Sequence, residues 1–149
     1  MNRMDLANQY HARGMNCAQS VLLAFSDLTH LSEQQALSLS CGFGGGAATG
    51  ELCGAITGAI MVLGLVFPVD PEHMAESKRR MVLLTRELQQ RFRKKFGYLR
   101  CEDLRRDPIQ PEELSPAMQE LGLTNHCDIM IVAAVELLEE LLREHLQKD

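Results

Sequence analysis

Four of the five cysteines in this 149-residue chain stand at predicted helix starts. Residues that cap helix N-termini lie next to them, such as Asn16 before Cys17 and Asn125 before Cys127. A helix N-terminus presents unpaired N–H groups and the positive end of the helix dipole, and both stabilise a thiolate. Because a cysteine that only fills space has no reason to prefer helix starts, this placement indicates thiolate chemistry. The four residues are Cys17, Cys53, Cys101 and Cys127.

The spacing of these four cysteines excludes several common sites. Successive members are 36, 48 and 26 residues apart, and no Cys-x-x-Cys pair occurs. A zinc ribbon, a thioredoxin-type motif, a ferredoxin-type ligand run and covalent haem attachment are therefore not predicted. Four converging thiolates could hold a metal–sulfur centre or exchange disulfides, and four separate ones would be small buried hydrophobes. The residue types and spacing leave these interpretations open.

A glycine-rich segment and a fifth cysteine precede Cys53. Cys41 is either a small residue at a helix end or a resolving thiol that attacks an oxidised Cys53. The segment that follows Cys41 has no Lys-Ser or Lys-Thr ending and no strand before it, so a phosphate-binding loop is not predicted. Its glycines free the backbone from ordinary steric limits. We expect a collar of backbone around the sulfur site, formed by Gly44, Gly45 and Gly46.

The most apolar stretch of the chain, Leu52–Phe67, is predicted to be a buried central helix. It has 16 residues, and a membrane-spanning helix needs about 20, so membrane insertion is not expected. Gly54 and Gly58 lie one turn apart on one face of this helix. Each glycine costs about 1 kcal/mol of helix propensity relative to alanine, so we expect another backbone or a cofactor to approach this face closely.

Helical periodicity also dominates the remainder of the chain. A capping box, formed by Ser32 and Gln35, begins the third of the predicted helices. The predicted fold is all-α, a single domain over residues 1–149, with a bundle of about five to six helices and a glycine-rich loop before the buried central helix. Besides the central helix, the predicted segments are Asn2–Ala12, Cys17–Phe25, Ser32–Ser40, a helix from Asp70 toward Gly97, a loose region over Arg100–Leu123, and His126–His145.

Composition and charge restrict the classes of function. With 46% hydrophobic and 23% charged residues the chain is typical of a globular protein, and its formal charge of −5 argues against a nucleic-acid binder. The first residues show no apolar segment of the kind found in signal peptides. We therefore expect a cytoplasmic protein, and in that reducing environment clustered cysteines usually serve metals or redox turnover.

Charged side chains suggest possible partners. Eight of the fifteen basic residues fall between Lys78 and Lys95, either as a solvated face or as a docking patch for an acidic redox protein. The last helix carries an acidic face that could pair with them within the chain or across a homodimer. His126, next to Cys127, is either an ordinary helix-start histidine or a group that binds metal or exchanges protons with that thiol. The acidic residues are Glu136, Glu139, Glu140 and Glu144.

The sequence resembles the C_GCAxxG_C_C family of redox-active proteins. The segment Cys53-Gly54-Ala55-Ile56-Thr57-Gly58 fits the Cys-Gly-Ala-x-x-Gly signature of that family, and Asn16-Cys17-Ala18-Gln19 is also similar to it. So are Gly42–Gly46 and the stretch from Arg91 to Cys101, and the resemblance extends from Gly14 to about Leu141. It implies a redox role, with an iron–sulfur or other metal centre as one form of that role. The ligands it implies are Cys17, Cys53, Cys101 and Cys127.

Three hypotheses of function follow from the sequence. The first is an electron-transfer protein whose four cysteines hold an iron–sulfur centre, in contact with the glycines Gly44, Gly45, Gly46, Gly54 and Gly58. The second is a metal-free dithiol oxidoreductase in which Cys53 attacks and Cys41 or Cys17 resolves. The third is a zinc-stabilised helical adaptor without a redox cycle.

Overall fold

Helices account for the architecture of the described residues, which are 2–107 and 109–147 of this computed structural model. No strand occurs among them, apart from one isolated bridge between Leu52 and Arg100. The all-α prediction is confirmed, and the helices exceed the predicted five to six because the loose region forms two short ones and a further short helix follows α2. They are α1 (Arg3–Ala12), α2 (Cys17–Ala24), α3 (Ser26–Thr29), α4 (Glu33–Ser40), α5 (Gly54–Val66), α6 (Met74–Phe96), α7 (Cys101–Arg106), α8 (Pro116–Glu120) and α9 (His126–Leu146).

Helices α5 and α9 form the centre of the hydrophobic core. Helix α5 packs against α2, α3, α6 and α9, and its buried residues include Ile56, Val62 and Leu63. Helix α9 has ten buried residues, so most of its circumference is covered. The prediction of a buried central helix behind a glycine-rich loop is therefore confirmed.

The glycine face of α5 lies directly on the backbone of α2. A methyl group added at Gly58 would lie 2.7 Å from the carbonyl oxygen of Ala18. One added at Gly54 would lie 3.3 Å from the Ala18 nitrogen and 3.3 Å from the Cys17 Cβ. The close approach predicted for this face is thus made by a neighbouring helix, and its packing offsets the cost of two glycines within a helix.

The first turn of α5 begins two residues later than the sequence pattern predicted. Leu52 pairs with Arg100 in the isolated antiparallel bridge, and Cys53 is the N-cap residue. The apolar character of Leu52 does not show whether it belongs to the helix, because a residue in a β-bridge can be as apolar as a helical one. The observed start places Cys53 at the end of the helix where backbone N–H groups are free.

An ion-pair cluster joins α6 to α9 at the side of the bundle. The Arg91 guanidinium lies 2.6 Å from a Glu87 carboxylate oxygen and 2.6 Å from one of Glu144. Arg91 also lies 3.5 Å from Glu140, and His145 Nε2 is 3.1 Å from Glu87. Two of the four acidic residues of the last helix, Glu140 and Glu144, therefore pair with the basic segment inside one chain.

The described helices include none with the length and apolarity of a membrane span. Helix α5 with the segment Pro71–Phe96 meets the length and composition only as a pair bent by 103°.

The contact between α5 and α2 can be tested at Gly58. Replacing Gly58 by Ala should lower the free energy of unfolding by about 1–3 kcal/mol, because the new methyl group would overlap Ala18. This outcome runs against helix propensity, which favours Ala by about 1 kcal/mol. Urea unfolding followed by circular dichroism measures the change.

Gly64→Ala in the same helix is the matched control. No heavy atom lies within 4 Å of a Cβ at Gly64, so this variant should be as stable as the parent or up to about 1 kcal/mol more stable. Equal effects of the two substitutions would contradict the close contact.

Candidate four-cysteine site

A cavity of about 230 Å³ lies where the N-termini of α2, α5, α7 and α9 meet. All four cysteines predicted at helix starts line it. Cys53 and Cys101 are buried, whereas Cys17 and Cys127 are half-buried. Chain segments far apart in the sequence thus bring four thiols to one cavity. The other lining residues are His11, Asn16, Gly45, Gly54, Arg105, His126 and Met130.

Two backbone hydrogen bonds position Cys53 and Cys101 at opposite ends of one short antiparallel pairing. The Cys53 N–H donates to the Leu99 carbonyl at 2.9 Å, and the Cys101 N–H donates to the Glu51 carbonyl at 2.6 Å. They flank the Leu52–Arg100 bridge, so the segments before α5 and α7 run antiparallel for three residues. Because this pairing fixes their register, the two cysteines have a fixed position relative to each other.

A capping box positions Cys17 at the start of α2. The Asn16 side-chain oxygen accepts from the Gln19 N–H at 2.9 Å, and the Gln19 side chain accepts from the Asn16 N–H at 2.9 Å. The Asn16 amide also donates to the Cys41 carbonyl at 2.8 Å. A Cβ at Gly44 would lie 2.6 Å from that amide nitrogen, so the glycine-rich segment packs directly on this helix cap.

Cys127 is held by a cap and by a contact with the first helix. The Asn125 side chain accepts from the N–H groups of Cys127 at 2.9 Å and of Asp128 at 3.2 Å. The Asp128 carboxylate in turn lies 2.5 Å from the His11 ring nitrogen Nδ1. This contact ties α9 to α1 directly beside the half-buried thiol.

The glycine-rich segment closes the cavity with a left-handed turn. Gly45, Gly46, Ala47 and Ala48 all have positive φ, and the Glu51 N–H donates to the Gly46 carbonyl at 3.0 Å. Gly46 is buried, and a Cβ there would lie 2.9 Å from the Cys101 Cβ. The turn therefore supports Cys101 through direct packing.

The five glycines predicted to contact a cofactor divide into two groups. Gly45 and Gly54 line the cavity. Gly44, Gly46 and Gly58 do not line it. A Cβ at Gly44 would meet Asn16, one at Gly46 would meet Cys101, and one at Gly58 would meet Ala18. Their contact with a cofactor stays a prediction, and their observed role is to let backbone and side chains pack closely around the cysteines.

Cys17 and Cys127 shift each other's pKa, and the largest cause is a hydrogen bond between the two thiols. This bond lowers the pKa of Cys127 to about 6, and the charges of His11 and Arg105 act in the same direction. The same bond, with burial and the neighbouring thiols, raises the pKa of Cys17 far above its ordinary value. The pair therefore combines one thiolate with one thiol at neutral pH.

Burial dominates the chemistry of the third thiol. It raises the pKa of Cys53 to about 11, although backbone hydrogen bonds from Ala55 and Ile56 oppose the shift. Burial also lowers the pKa of His126, and the nearby Arg105 adds to that effect. In the metal-free site Cys53 is therefore protonated at neutral pH.

The structure does not bring Cys41 to the cavity. Its side chain is exposed and is not among the lining residues. The cavity instead includes two residues that the sequence analysis did not single out, His11 and Arg105. Arg105 follows Cys101 by four residues, one helical turn, so their spacing could have indicated a shared face. His11 lies six residues before Cys17 in another helix, and no spacing rule would have found it.

Comparison with known proteins gives one family. Residues 15–141 match the family described as "Putative redox-active protein (C_GCAxxG_C_C)". The chain belongs to this family. The match covers most of the chain and contains all four cysteines that line the cavity. No curated protein and no solved structure matches the chain.

The thiol pair gives a testable pH dependence. In reduced, metal-free protein the rate of Cys127 alkylation by iodoacetamide should rise with pH through a midpoint near 6, because the thiolate reacts and its pKa is lowered to that value. Cys53 should stay unreactive until the pH approaches 11. Peptide mapping by mass spectrometry at each pH resolves the two sites.

Two substitutions at Cys17 test whether its hydrogen bond is what lowers the pKa of Cys127. Cys17→Ala removes the donor and should move the Cys127 midpoint upward, whereas Cys17→Ser keeps a hydroxyl donor and should move it less. A midpoint near 9 for Cys127 in the unsubstituted protein would show that the hydrogen bond does not stabilise its thiolate.

Proposed function

We propose that Cys17, Cys53, Cys101 and Cys127 hold an iron–sulfur-type centre and that the protein transfers electrons through it. The observation that supports this function is that four thiols from four helix N-termini line one cavity. Membership of a redox-active family is consistent with it. A dithiol enzyme would use only two of these thiols and would leave Cys53 and Cys101 without a chemical role.

The residues of the cavity fit such a group. Iron–sulfur centres are held by cysteine thiolates, and their potentials depend on hydrogen bonds to sulfur and on exposure to solvent. Backbone hydrogen bonds from Ala55 and Ile56 already favour the thiolate of Cys53, and Arg105 supplies a positive charge at the cavity. A volume of about 230 Å³ greatly exceeds the roughly 10–15 Å³ that admits one water molecule.

The separation of the sulfur atoms favours a centre of several metal atoms over a single zinc ion. Four thiolates bound to one zinc at about 2.3 Å would lie about 3.8 Å apart. In the described residues, no three cysteine sulfurs lie within 4.8 Å of one another, and the compact group of potential ligands is elsewhere, at Glu87, Glu144 and His145. Cys17, Cys53, Cys101 and Cys127 would therefore hold a group larger than one ion.

The chain's own residues would supply what the centre needs for electron transfer. When bound, an iron–sulfur centre accepts and returns single electrons. The buried positions of Cys53 and Cys101 exclude water from one side of the cavity, and Met130 adds an apolar wall. The positive charge of Arg105 would favour the reduced state of the centre, which carries more negative charge. We place the protein in a reducing, cytoplasmic environment, which keeps its thiols available for metal binding.

Anaerobic purification tests this function. The protein should carry iron and acid-labile sulfide and absorb visible light, and Cys53→Ser should remove most of that absorption because it removes a buried ligand. Cys41→Ser is the matched control, since Cys41 is exposed and away from the cavity. A colourless protein with one zinc per chain, or equal loss in both variants, would contradict the proposal.

A metal-free dithiol function is the second candidate, and the hydrogen bond between Cys17 and Cys127 favours it. Here the Cys127 thiolate attacks a substrate disulfide, forming a mixed disulfide and releasing one substrate thiolate. Cys17 then loses its proton and attacks Cys127, which closes the Cys17–Cys127 bridge and releases the second substrate thiolate. The two protein thiols are oxidised as the substrate disulfide is reduced. In this candidate the attacking thiol is Cys127, whose pKa is lowered, whereas the sequence analysis expects Cys53 to attack.

Mild oxidation of the metal-free protein tests this second candidate. With oxidised glutathione the thiol count should fall by two, and peptide mapping should find a bridge between Cys17 and Cys127. Cys41→Ser should behave like the parent protein. A bridge that contains Cys41, or no bridge at all, would rule out this pair as the redox couple.

A further inference from the structure

Helix α6 carries a large share of the positive charge of the chain. It contains eight of the fifteen basic residues and two of the twenty acidic residues, which gives it a formal charge of +6. The other seven basic and eighteen acidic residues give the remainder of the chain −11. Positive and negative charge are therefore separated within the molecule, and such separation affects the choice of partner.

One face of α6 is exposed along its length. The opposite face buries Leu84, Leu88 and Phe92 in the bundle. At the centre of the exposed face, Val82 is 44% and Leu83 is 61% exposed. We call this face the α6 stripe; its members recur at intervals of three and four residues, as positions on one side of a helix do. The α6 stripe consists of Arg79, Val82, Leu83, Arg86, Gln90 and Arg93.

The arginines of the α6 stripe are available for an external partner. Within the described part of the chain, the side chains of Arg79, Arg86 and Arg93 make no ion pair or hydrogen bond. Arg91 in the same helix is different, because it is paired with Glu87 and Glu144. The ion pairing inside the bundle therefore stops at the edge of the stripe.

We propose that the α6 stripe binds an acidic protein. Carboxylates of the partner pair with Arg79, Arg86 and Arg93, and an apolar side chain of the partner covers Val82 and Leu83. An apolar centre with a charged rim is the usual anatomy of a protein interface, and arginine is enriched there. Helix α6 has 23 residues and is about 34 Å long, enough to present such a patch.

Other occupants fit the stripe less well. A second copy placed on the same face would bring arginines against arginines, as the symmetry of a two-fold dimer requires. A nucleic acid or an anionic membrane extends beyond one helix and would meet the −11 of the remaining chain. Phosphate groups also offer nothing to Val82 and Leu83. A compact acidic patch on a protein matches both the charge and the apolar centre.

The stripe lies on the helix that leads to the cysteine site. Helix α6 ends at Phe96, the Leu99 carbonyl accepts from the Cys53 N–H at 2.9 Å, and Cys101 begins α7. A partner bound along α6 therefore contacts the helix that continues into the support of two thiols. That this partner exchanges electrons with the site rests on the proposed function, whereas the binding itself does not.

A designed peptide tests the binding. The probe is a helical peptide with glutamates along one face and leucine at the centre of that face, used at about 0.15 M salt so that weak long-range attraction is screened. It should bind the parent protein, and the same peptide with glutamine for glutamate should not. Arg86→Glu with Arg93→Glu should weaken binding at least about tenfold, because two attractive contacts become repulsive. Leu83→Ser should weaken it about tenfold through loss of apolar burial.

Matched variants elsewhere on the surface serve as controls. Arg13→Glu with Arg143→Glu makes the same change in net charge at exposed positions outside α6, and Leu39 is 53% exposed, which makes Leu39→Ser comparable with Leu83→Ser. Both controls should bind the peptide within about twofold of the parent. Circular dichroism and visible absorption of every variant show whether fold and cofactor are intact, so a failure of docking is distinct from a failure of the proposed function.

Three results would overturn the proposal. One is absence of peptide binding by the parent protein. Another is an equal loss in the stripe and control charge variants, which would show that only net charge matters. The third is tighter, arginine-dependent binding to phosphatidylserine vesicles or to a DNA duplex than to the acidic peptide, which would assign the stripe to a membrane or a nucleic acid.

Discussion

The close contact between α2 and α5 determines where the first two thiols stand. At Gly54 and Gly58 the helix α5 has no side chain, and the backbone of α2 at Ala18 fills that space. Any side chain there would push the two helices apart and move Cys17 away from Cys53. The pairing of Glu51–Cys53 with Leu99–Cys101 then adds the third thiol, and the Asn125 cap places the fourth. The cavity is thus a consequence of helix packing distance.

The positive ends of four helix dipoles repel each other where the helices converge. Negative charge on the thiols reduces this repulsion. Each N-terminus carries about half a positive charge from the helix dipole, and four of them near one cavity repel each other unless negative charge lies between them. Carboxylates could supply that charge, but they bind soft metals poorly, whereas thiolates bind them well. In the metal-free protein only one of these thiols has a lowered pKa, that of Cys127, whereas the pKa values of Cys17 and Cys53 are raised.

The sequence predicted the helical architecture and the helix-start position of the four cysteines, because local signals determine both. Apolar spacing identifies α5 and α9, and the capping residues Asn16 and Asn125 mark two of the helix starts. The position of Leu52 was not predictable in this way, since its pairing with Arg100 depends on a segment 48 residues away.

Contacts between residues far apart in the sequence also limited the prediction of the site. His11 reaches the cavity because α1 packs on α9, and nothing near His11 in the sequence indicates that contact. The sequence position of Cys41, 12 residues before Cys53, suggests a place at the site, yet Cys41 lies in the 3₁₀ turn Cys41–Phe43 and is exposed. Separation along the chain is a poor guide to distance when a glycine-rich segment lies between two residues.

The left-handed turn over Cys101 has a consequence for local stability. Ala47 and Ala48 adopt positive φ, which costs a residue with a side chain about 1–2 kcal/mol. Hydrogen bonds from the Glu51 N–H and the Thr49 hydroxyl to the Gly46 carbonyl hold the turn against this strain, together with the packing of Gly46 on Cys101. Unwinding it relaxes both alanines, so less free energy is needed to open the backbone there than in the neighbouring helices. Transient opening of the turn would expose the buried sulfur of Cys101, while the packing of α2 on α5 stays intact.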